Sequence, residues 1–283
     1  MTESLRTEDG RAVLRMQRHL RHPQHKVWRA ITDPDHLEHW FPFAVELDLQ
    51  LGAKVTFTEH GGGGSATYGV VTELDPPRVF AFSWGEDVLH WELRPDGDGC
   101  LLALTHMFGD RAGAASFAAG WHACIEALDA SLDGRTATLP TTMAELARAH
   151  EARITAFGLD RGTAERTPYG WQVRFERQLT RPVDAVWAIL TGGATPAVSG
   201  AAPAAFTTDQ IPAGPIIAVD APTLLEYAVP PMGSRVRWRL RPGTGHGARL
   251  TLHHTCRDEH DRDLALTAWR DHIEALAARV ATP

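Results

Sequence analysis

Arg15-Met16-Gln17-Arg18-His19-Leu20, followed by Pro23 and Val27-Trp28, recurs 159 residues later as Arg174-Phe175-Glu176-Arg177-Gln178-Leu179, followed by Pro182 and Val186-Trp187. A repeat of this kind resets every other reading, because each copy is then one folding unit. Further along, Trp91-Glu92-Leu93-Arg94-Pro95 returns 147 residues later as Trp238-Arg239-Leu240-Arg241-Pro242. Near each end, Trp121 with Ile125-Glu126-Ala127-Leu128 returns 148 residues later as Trp269 with Ile273-Glu274-Ala275-Leu276. Three of the nine tryptophans are thus paired in the same order, which predicts two tandem copies of one fold. The copies are unequal. From Thr32 to Asp75 is 43 positions, from Thr191 to Asp220 only 29, and the shortfall falls on Trp40-Phe41 and residues 55–64. The second copy lacks about a β-hairpin's worth of chain.

The wider composition fits that division. The chain has 283 residues, and at roughly 100–200 residues per domain this length predicts two. With 28 Lys+Arg against 35 Asp+Glu and 43% hydrophobic residues, wholesale disorder is excluded. Net charge is −7 and the arginines are scattered along the chain with no basic stripe, which argues against nucleic acid or an anionic membrane as partner. No apolar run approaches the length of a membrane span, and the polar start lacks the apolar core of a signal peptide. Cys100, Cys124 and Cys256 form no CxxC pair and point to reduced thiols in a cytoplasmic protein.

Periodicity supplies the elements. Residues 13–20 and 172–179 alternate as strands, and Pro23 and Pro182 suit the first turn of a following helix. Val45-Leu47-Leu49, Val55-Phe57, Tyr68-Val70, Phe80-Phe82-Trp84, Leu89-Trp91-Leu93 and Leu102-Leu104-His106 alternate as half-buried antiparallel strands. Each copy ends in a long amphipathic helix. Its stripe is Ala118, Trp121, Ile125, Leu128 and Leu132 in the first, and Leu266, Trp269, Ile273, Leu276 and Val280 in the second. The predicted class is α+β, a curved antiparallel sheet gripping one long helix and leaving a cavity between them. The predicted domains are 1–135, a helical connector over 136–170, and a shortened 171–283. Thr142 and Glu145 form a capping-box pattern in the connector, and 160–165 reads as polar loop.

Copy one then resembles the heat-shock-protein-90 ATPase activator-like family of the START-like (SRPBCC, helix-grip) superfamily. The residues that carry the likeness are Pro23, Val27-Trp28, Ala30-Ile31-Thr32-Asp33-Pro34, Leu37, Trp40, Gly69, Asp75-Pro76-Pro77-Arg78, Gly99, Leu102-Ala103-Leu104-Thr105-His106 and Gly120-Trp121. It covers about residues 13–133. The resemblance implies a helix-grip fold in both copies, the second degenerate, with an internal cavity used across the superfamily for hydrophobic molecules. Some members are aromatic cyclases, many only bind, and the namesake acts on a chaperone. Fold alone does not choose among these.

The candidate ligand wall is Trp40, Phe41, Phe57, Tyr68, Phe82, Trp84, Trp91 and Trp121, with His106 as polar anchor. The plainer reading is core, since burying one aromatic side chain removes about 150–250 Å² from water. That reading is stronger for Trp28, Trp91 and Trp121, which both copies keep. His254 repeats His106, which favours a structural imidazole. Glu59 shares the phase of Val55 and Phe57, so a Glu59–His106 acid–base pair is the enzymatic alternative. His22/His25 and His36/His39 have i,i+3 spacing but no third ligand, so no metal and no cofactor are expected. The glycine run 61–64 suits a hairpin that gates the cavity mouth. In copy two, Trp238 and Leu252 are expected to close the space beneath Trp269. Three functions follow: non-catalytic binding of a small hydrophobic molecule, a cyclase or lyase using Glu59 and His106, or an interaction module with a protein partner.

Overall fold

Alternating apolar residues give strands with one dry face, and in this computed structural model those strands close on two long helices. The structure describes residues 1–60, 64–135, 143–230, 233–245 and 247–281. Two compact units result, Met1–Leu146 and Ala147–Pro283. The class is α+β, and each unit is a helix-grip domain with an antiparallel sheet wrapped on a long closing helix.

The first unit holds β1 (Thr2–Glu8), β2 (Arg11–Leu20), α1 (Gln24–Thr32), α2 (Pro34–Leu37), β3 (Ala44–Leu47), β4 (Lys54–Thr58), β5 (Thr67–Asp75), β6 (Val79–Trp84), β7 (Asp87–Asp96), β8 (Gly99–Phe108) and α3 (Ala114–Leu132). Its eight strands run in the order β1-β2-β8-β7-β6-β5-β4-β3. Pro23 sits at the N-cap of α1, where a missing N–H costs nothing. The Asp33 carboxylate caps α2 by accepting the Asp35 N–H, and that short helix delivers Trp40 and Phe41 into the core. All five residues of the α3 stripe are buried.

The second unit follows α4 (Met143–Ile154) with β9 (Thr163–Thr167), β10 (Gly170–Gln178), α5 (Val183–Thr191), β11 (Ile216–Asp220), β12 (Leu224–Val229), β13 (Ser234–Pro242), β14 (Ala248–Cys256) and α6 (Glu259–Ala281). Its six strands run β11-β12-β13-β14-β10-β9, two fewer than in the first sheet. Trp238 lies edge-on to Trp269 at 5.7 Å, with Phe206 against Trp238 at 5.5 Å, and Leu252 is fully buried.

Two expectations are corrected. Residues 163–167, which begin inside the 160–165 stretch read as polar loop and lie inside the predicted connector, form the edge strand β9 of the second sheet, and residues 2–8, which gave no strand signal, form β1. Both are edge strands exposed along most of their length, so no apolar alternation marks them. Thr142 of the capping-box pattern lies outside the described residues.

Backbone packing makes Gly69 of β5 irreplaceable. A Cβ there would stand 1.7 Å from the Ser83 carbonyl oxygen and 3.4 Å from the Phe57 ring. Gly120, inside α3, would meet nothing within 4 Å. Gly69→Ala is therefore expected to lower stability by about 2 kcal/mol or more. Gly120→Ala should raise it by about 0.5–1 kcal/mol by removing backbone entropy. Urea unfolding of the two variants checks both signs.

Candidate functional site

The predicted wall does converge on one place. Trp40, Phe41, Phe57, Phe82 and Trp91 line a single interior space together with Ile31, Leu37, Val45, Leu47, Val55 and Phe80. That space is nearly full. Its free volume is about 10 Å³, room for about one water molecule and no organic ligand. The expected open hollow is thus corrected: the aromatic rings themselves occupy it.

Their packing explains why. Phe57 stacks on Trp84 at 4.7 Å and tilts against Phe82 at 5.6 Å. Phe41 fills the centre, 6.2 Å from Phe57, 5.7 Å from Trp84 and 5.8 Å from Trp121. Trp91 bridges Trp40 and Trp121, edge-on to each at 5.7 Å. Trp40 is pinned as well, its Nε1–H donating to the Ala30 carbonyl at 2.9 Å. Such offset and edge-on pairs add to the gain from burial. Trp84 is half-buried at the rim, where its Nε1–H donates to the Thr67 hydroxyl at 2.8 Å.

Tyr68 is not in the wall. It is 52% exposed, with the Lys54 ammonium 3.8 Å above its ring. The inward residues of β5 are Gly69 and Val71. Gly69 faces in because the Phe57 ring covers it, which puts Tyr68 and Val70 outward.

His106 points inward, yet it does not meet Glu59. The Trp121 Nε1–H donates to its Nδ1 at 3.1 Å, so Nε2 carries the proton and faces the Asp87 carboxylate at 3.0 Å. Both ring nitrogens are engaged. Glu59 is exposed, beside the position a Cβ on Gly64 would take. The acid–base pair is not assembled. Asp87 escaped the sequence reading because it opens β7 next to the Gly85 turn, where the alternation has not yet begun.

The second unit repeats the device, with the Trp269 Nε1–H donating to His254 Nδ1 at 3.1 Å and Ser234 in place of Asp87 at 3.3 Å. A second tie is also shared. Arg18 meets Glu126 of α3 at 2.6 Å, and Arg177 meets Glu274 of α6 at 2.9 Å. The repeat offsets contained this signal, since both members of the pair recur.

Other chemistry is sparse. Burial pushes the Cys100 thiol up to about 11 and the Cys124 and Cys256 thiols up to about 12, the reverse of an activated nucleophile. Among the described residues no three His, Cys, Asp or Glu side chains are grouped to hold a metal ion, and no helix is long and apolar enough to cross a membrane. Of the glycine run, 61–63 lie outside the described residues.

Residues 21–133 match the family model described as "Activator of Hsp90 ATPase homolog 1-like protein". The first unit carries that family's pattern. No curated protein matches the chain. Among solved structures it is similar to CalU16 from Micromonospora echinospora, at 24% identity over 53% of this chain and 92% of that one, TM-score 0.43. It is similar to the conserved protein of unknown function EF2215 from Enterococcus faecalis, at 16% identity over 55% and 90%, TM-score 0.48. DynU16, from the dynemicin biosynthetic locus, is 19% identical over 95% of this chain and 99% of that one, TM-score 0.43.

One more expectation is corrected in the second unit. The alternation Arg235-Val236-Arg237-Trp238-Arg239-Leu240-Arg241 places four arginines on the outer face of β13, so the chain does carry a basic stripe. Averaging charge over the whole sequence hides it.

Burial of the second unit's histidines has a measurable consequence. Desolvation lowers His254 to about 4, and desolvation followed by the nearby Arg177 charge lowers His150 to about 4. Between pH 6.5 and 4 the unfolded chain binds protons that the folded unit refuses. Stability is therefore full above about pH 6.5 and falls as pH drops toward 4, by on the order of 3 kcal/mol per histidine. Urea midpoints across this range, with NMR titration of both imidazoles, check the prediction. An imidazole titrating near 6.5 would contradict it.

Proposed function

We propose that the chain is a non-catalytic binding protein whose first unit acts through its outer surface, as an interaction module of the chaperone-activator kind. The observation that carries this reading is the filled interior: about 10 Å³ remains where a ligand or substrate would have to sit. The engaged nitrogens of His106 and the raised thiols support it, because neither offers a group poised for proton transfer or nucleophilic attack. The cyclase or lyase alternative has no assembled acid–base pair to work with. On this proposal, 1–135 is the working domain, and the predicted 136–170 connector gives way at β9 to a shortened companion that runs to 283.

The surface that suits the role lies on the outer face of β5 and the adjoining β3–β4 connection. Leu49, Leu51, Tyr68 and Val70 are large apolar side chains left exposed there. Leu51 precedes Gly52, whose N–H bonds to the Val71 carbonyl, so the strand pairing brings the leucine toward Val70. Exposed apolar patches of this kind mark interaction sites. The family match makes a chaperone ATPase of the Hsp90 class the partner to try first.

A second reading, uptake of a small hydrophobic molecule, draws on the aromatic lining and on Trp84 at its rim. It requires Phe41 and Trp84 to swing out together, since between them they contact Phe57, Trp121 and Phe43.

The test is the ATPase rate of an Hsp90-class chaperone titrated with the full chain, alongside native mass spectrometry of the purified protein. Saturable stimulation is expected, and Leu51→Asp or Tyr68→Ala should each weaken the apparent affinity by about tenfold, ~1.4 kcal/mol. A flat rate would contradict the module reading. A co-purified apolar molecule held one per chain would favour the second.

A further inference from the structure

The second sheet carries a trough on the face turned away from α6. Its free volume is about 410 Å³, and its lining is Arg174, Arg235, Arg237, Arg239 and Arg241 with Gln172, Thr251, His253 and Thr255. The shape follows from strand order. β14 runs between β13 and β10 and contributes the shorter Thr251, His253 and Thr255 as a floor. The long arginines of β13 rise on one side and Arg174 of β10 on the other. Outward alternation puts these side chains on one face, and the volume lies within the range of small-molecule sites.

The charge is unbalanced. Five arginines line the trough, while three carboxylates lie on its face, Glu176, Glu226 and Glu165, the register partner of Gln172. Glu176 pairs with Arg174, Arg241 and the buried Arg249. Glu226 pairs with Arg235 and Arg237. Arg239, between Arg237 and Arg241, meets no carboxylate among the described residues, and its register partners are Leu224 on one side and Thr251 on the other. The surplus positive charge sits on a chain whose net charge is −7. His253 on the floor reports the same field. Desolvation, followed by Arg174 of β10 and Arg237 and Arg239 of β13, holds its imidazole below the usual range, with Glu176 opposing.

We infer that this trough is a binding site for a small polyanion carrying at least two phosphate groups. Guanidinium forks match phosphate oxygens in pairs, and several forks around one hollow select a compact ligand of high charge density. Nucleic acid fits less well. Single strands are held by bases stacked on aromatic rings between the cations, whereas the aromatic residue interleaved with these arginines, Trp238, is buried on the opposite face. The outer face of the three strands offers arginine, threonine, glutamine, histidine and the Glu176 carboxylate, but no aromatic carbocycle.

The probe is sodium tripolyphosphate, titrated calorimetrically into the full chain at low ionic strength. One saturable site is expected, with affinity falling steeply as salt is added. Arg239→Gln should weaken binding by at least about tenfold, and Arg239→Lys, which keeps the charge but loses the fork, should fall between. Arg94→Gln in the first unit should leave the affinity unchanged, and thermal unfolding of each variant confirms that it folds. Bound tripolyphosphate should also raise the His253 titration seen by NMR. The inference is overturned if tripolyphosphate does not saturate, or if Arg239→Gln binds as tightly as the parent. It is equally overturned if a twelve-nucleotide oligothymidine binds at this face while tripolyphosphate does not.

Discussion

In both units the closing helix buries one indole N–H against the sheet, and its acceptor there is an imidazole. Trp121 donates to His106 and Trp269 to His254, each at 3.1 Å. The bond seats the closing helix at a fixed depth and fixes the imidazole tautomer, so that Nε2 needs a partner of its own. Asp87 supplies it in one unit and Ser234 in the other. The Arg18–Glu126 and Arg177–Glu274 pairs hold the same helices at a second point. With the helix so placed, Trp91 meets Trp121 and Trp238 meets Trp269 at the same 5.7 Å, edge-on in both cases. The aromatic rows of each interior follow from that geometry.

The units diverge where the first has extra chain. α2 and the β3–β4 pair add Trp40, Phe41 and Phe57, and these rings converge under Trp84 until little free volume is left. The second unit, two strands shorter, fills the corresponding interior with Phe206 and Trp238. A close-packed interior of this kind is stiff. On the proposed reading both interiors are scaffolds, and the outward features differ: an apolar surface on β5 and the β3–β4 connection of the first unit, an arginine-lined trough on the second. Tyr68 and Arg239, each on the solvent side of its strand, belong to these surfaces.

Much of the architecture was legible from the chain alone. The repeated Arg-x-x-Arg strand, the paired tryptophans and the helix stripes are packing signals, and packing is what periodicity records. Inward placement of Phe57, Phe82, Trp91 and His106 was legible for the same reason. Five things were not. Tyr68 was assigned the wrong face because Gly69, lacking a side chain, hides the inward phase of β5. The edge strands β1 and β9 have no dry face to alternate. Free volume is a property of how rings interlock in three dimensions, and no one-dimensional pattern distinguishes a wall from a filling. The Glu59–His106 pairing failed on the same ground, since phase along a strand does not say which strand ends are neighbours. The basic trough was missed because charge was averaged over the whole chain, which hides the four alternating arginines of β13.

The account stands on a first-unit interior filled by its own side chains. Diffraction from crystals pressurised with xenon measures this directly, because xenon enters dry apolar cavities of sufficient size. The account predicts no xenon peak among Phe41, Phe57, Phe82 and Trp91, whose shared void is about 10 Å³. A well-occupied xenon atom there, with the rings drawn apart to admit it, would contradict it.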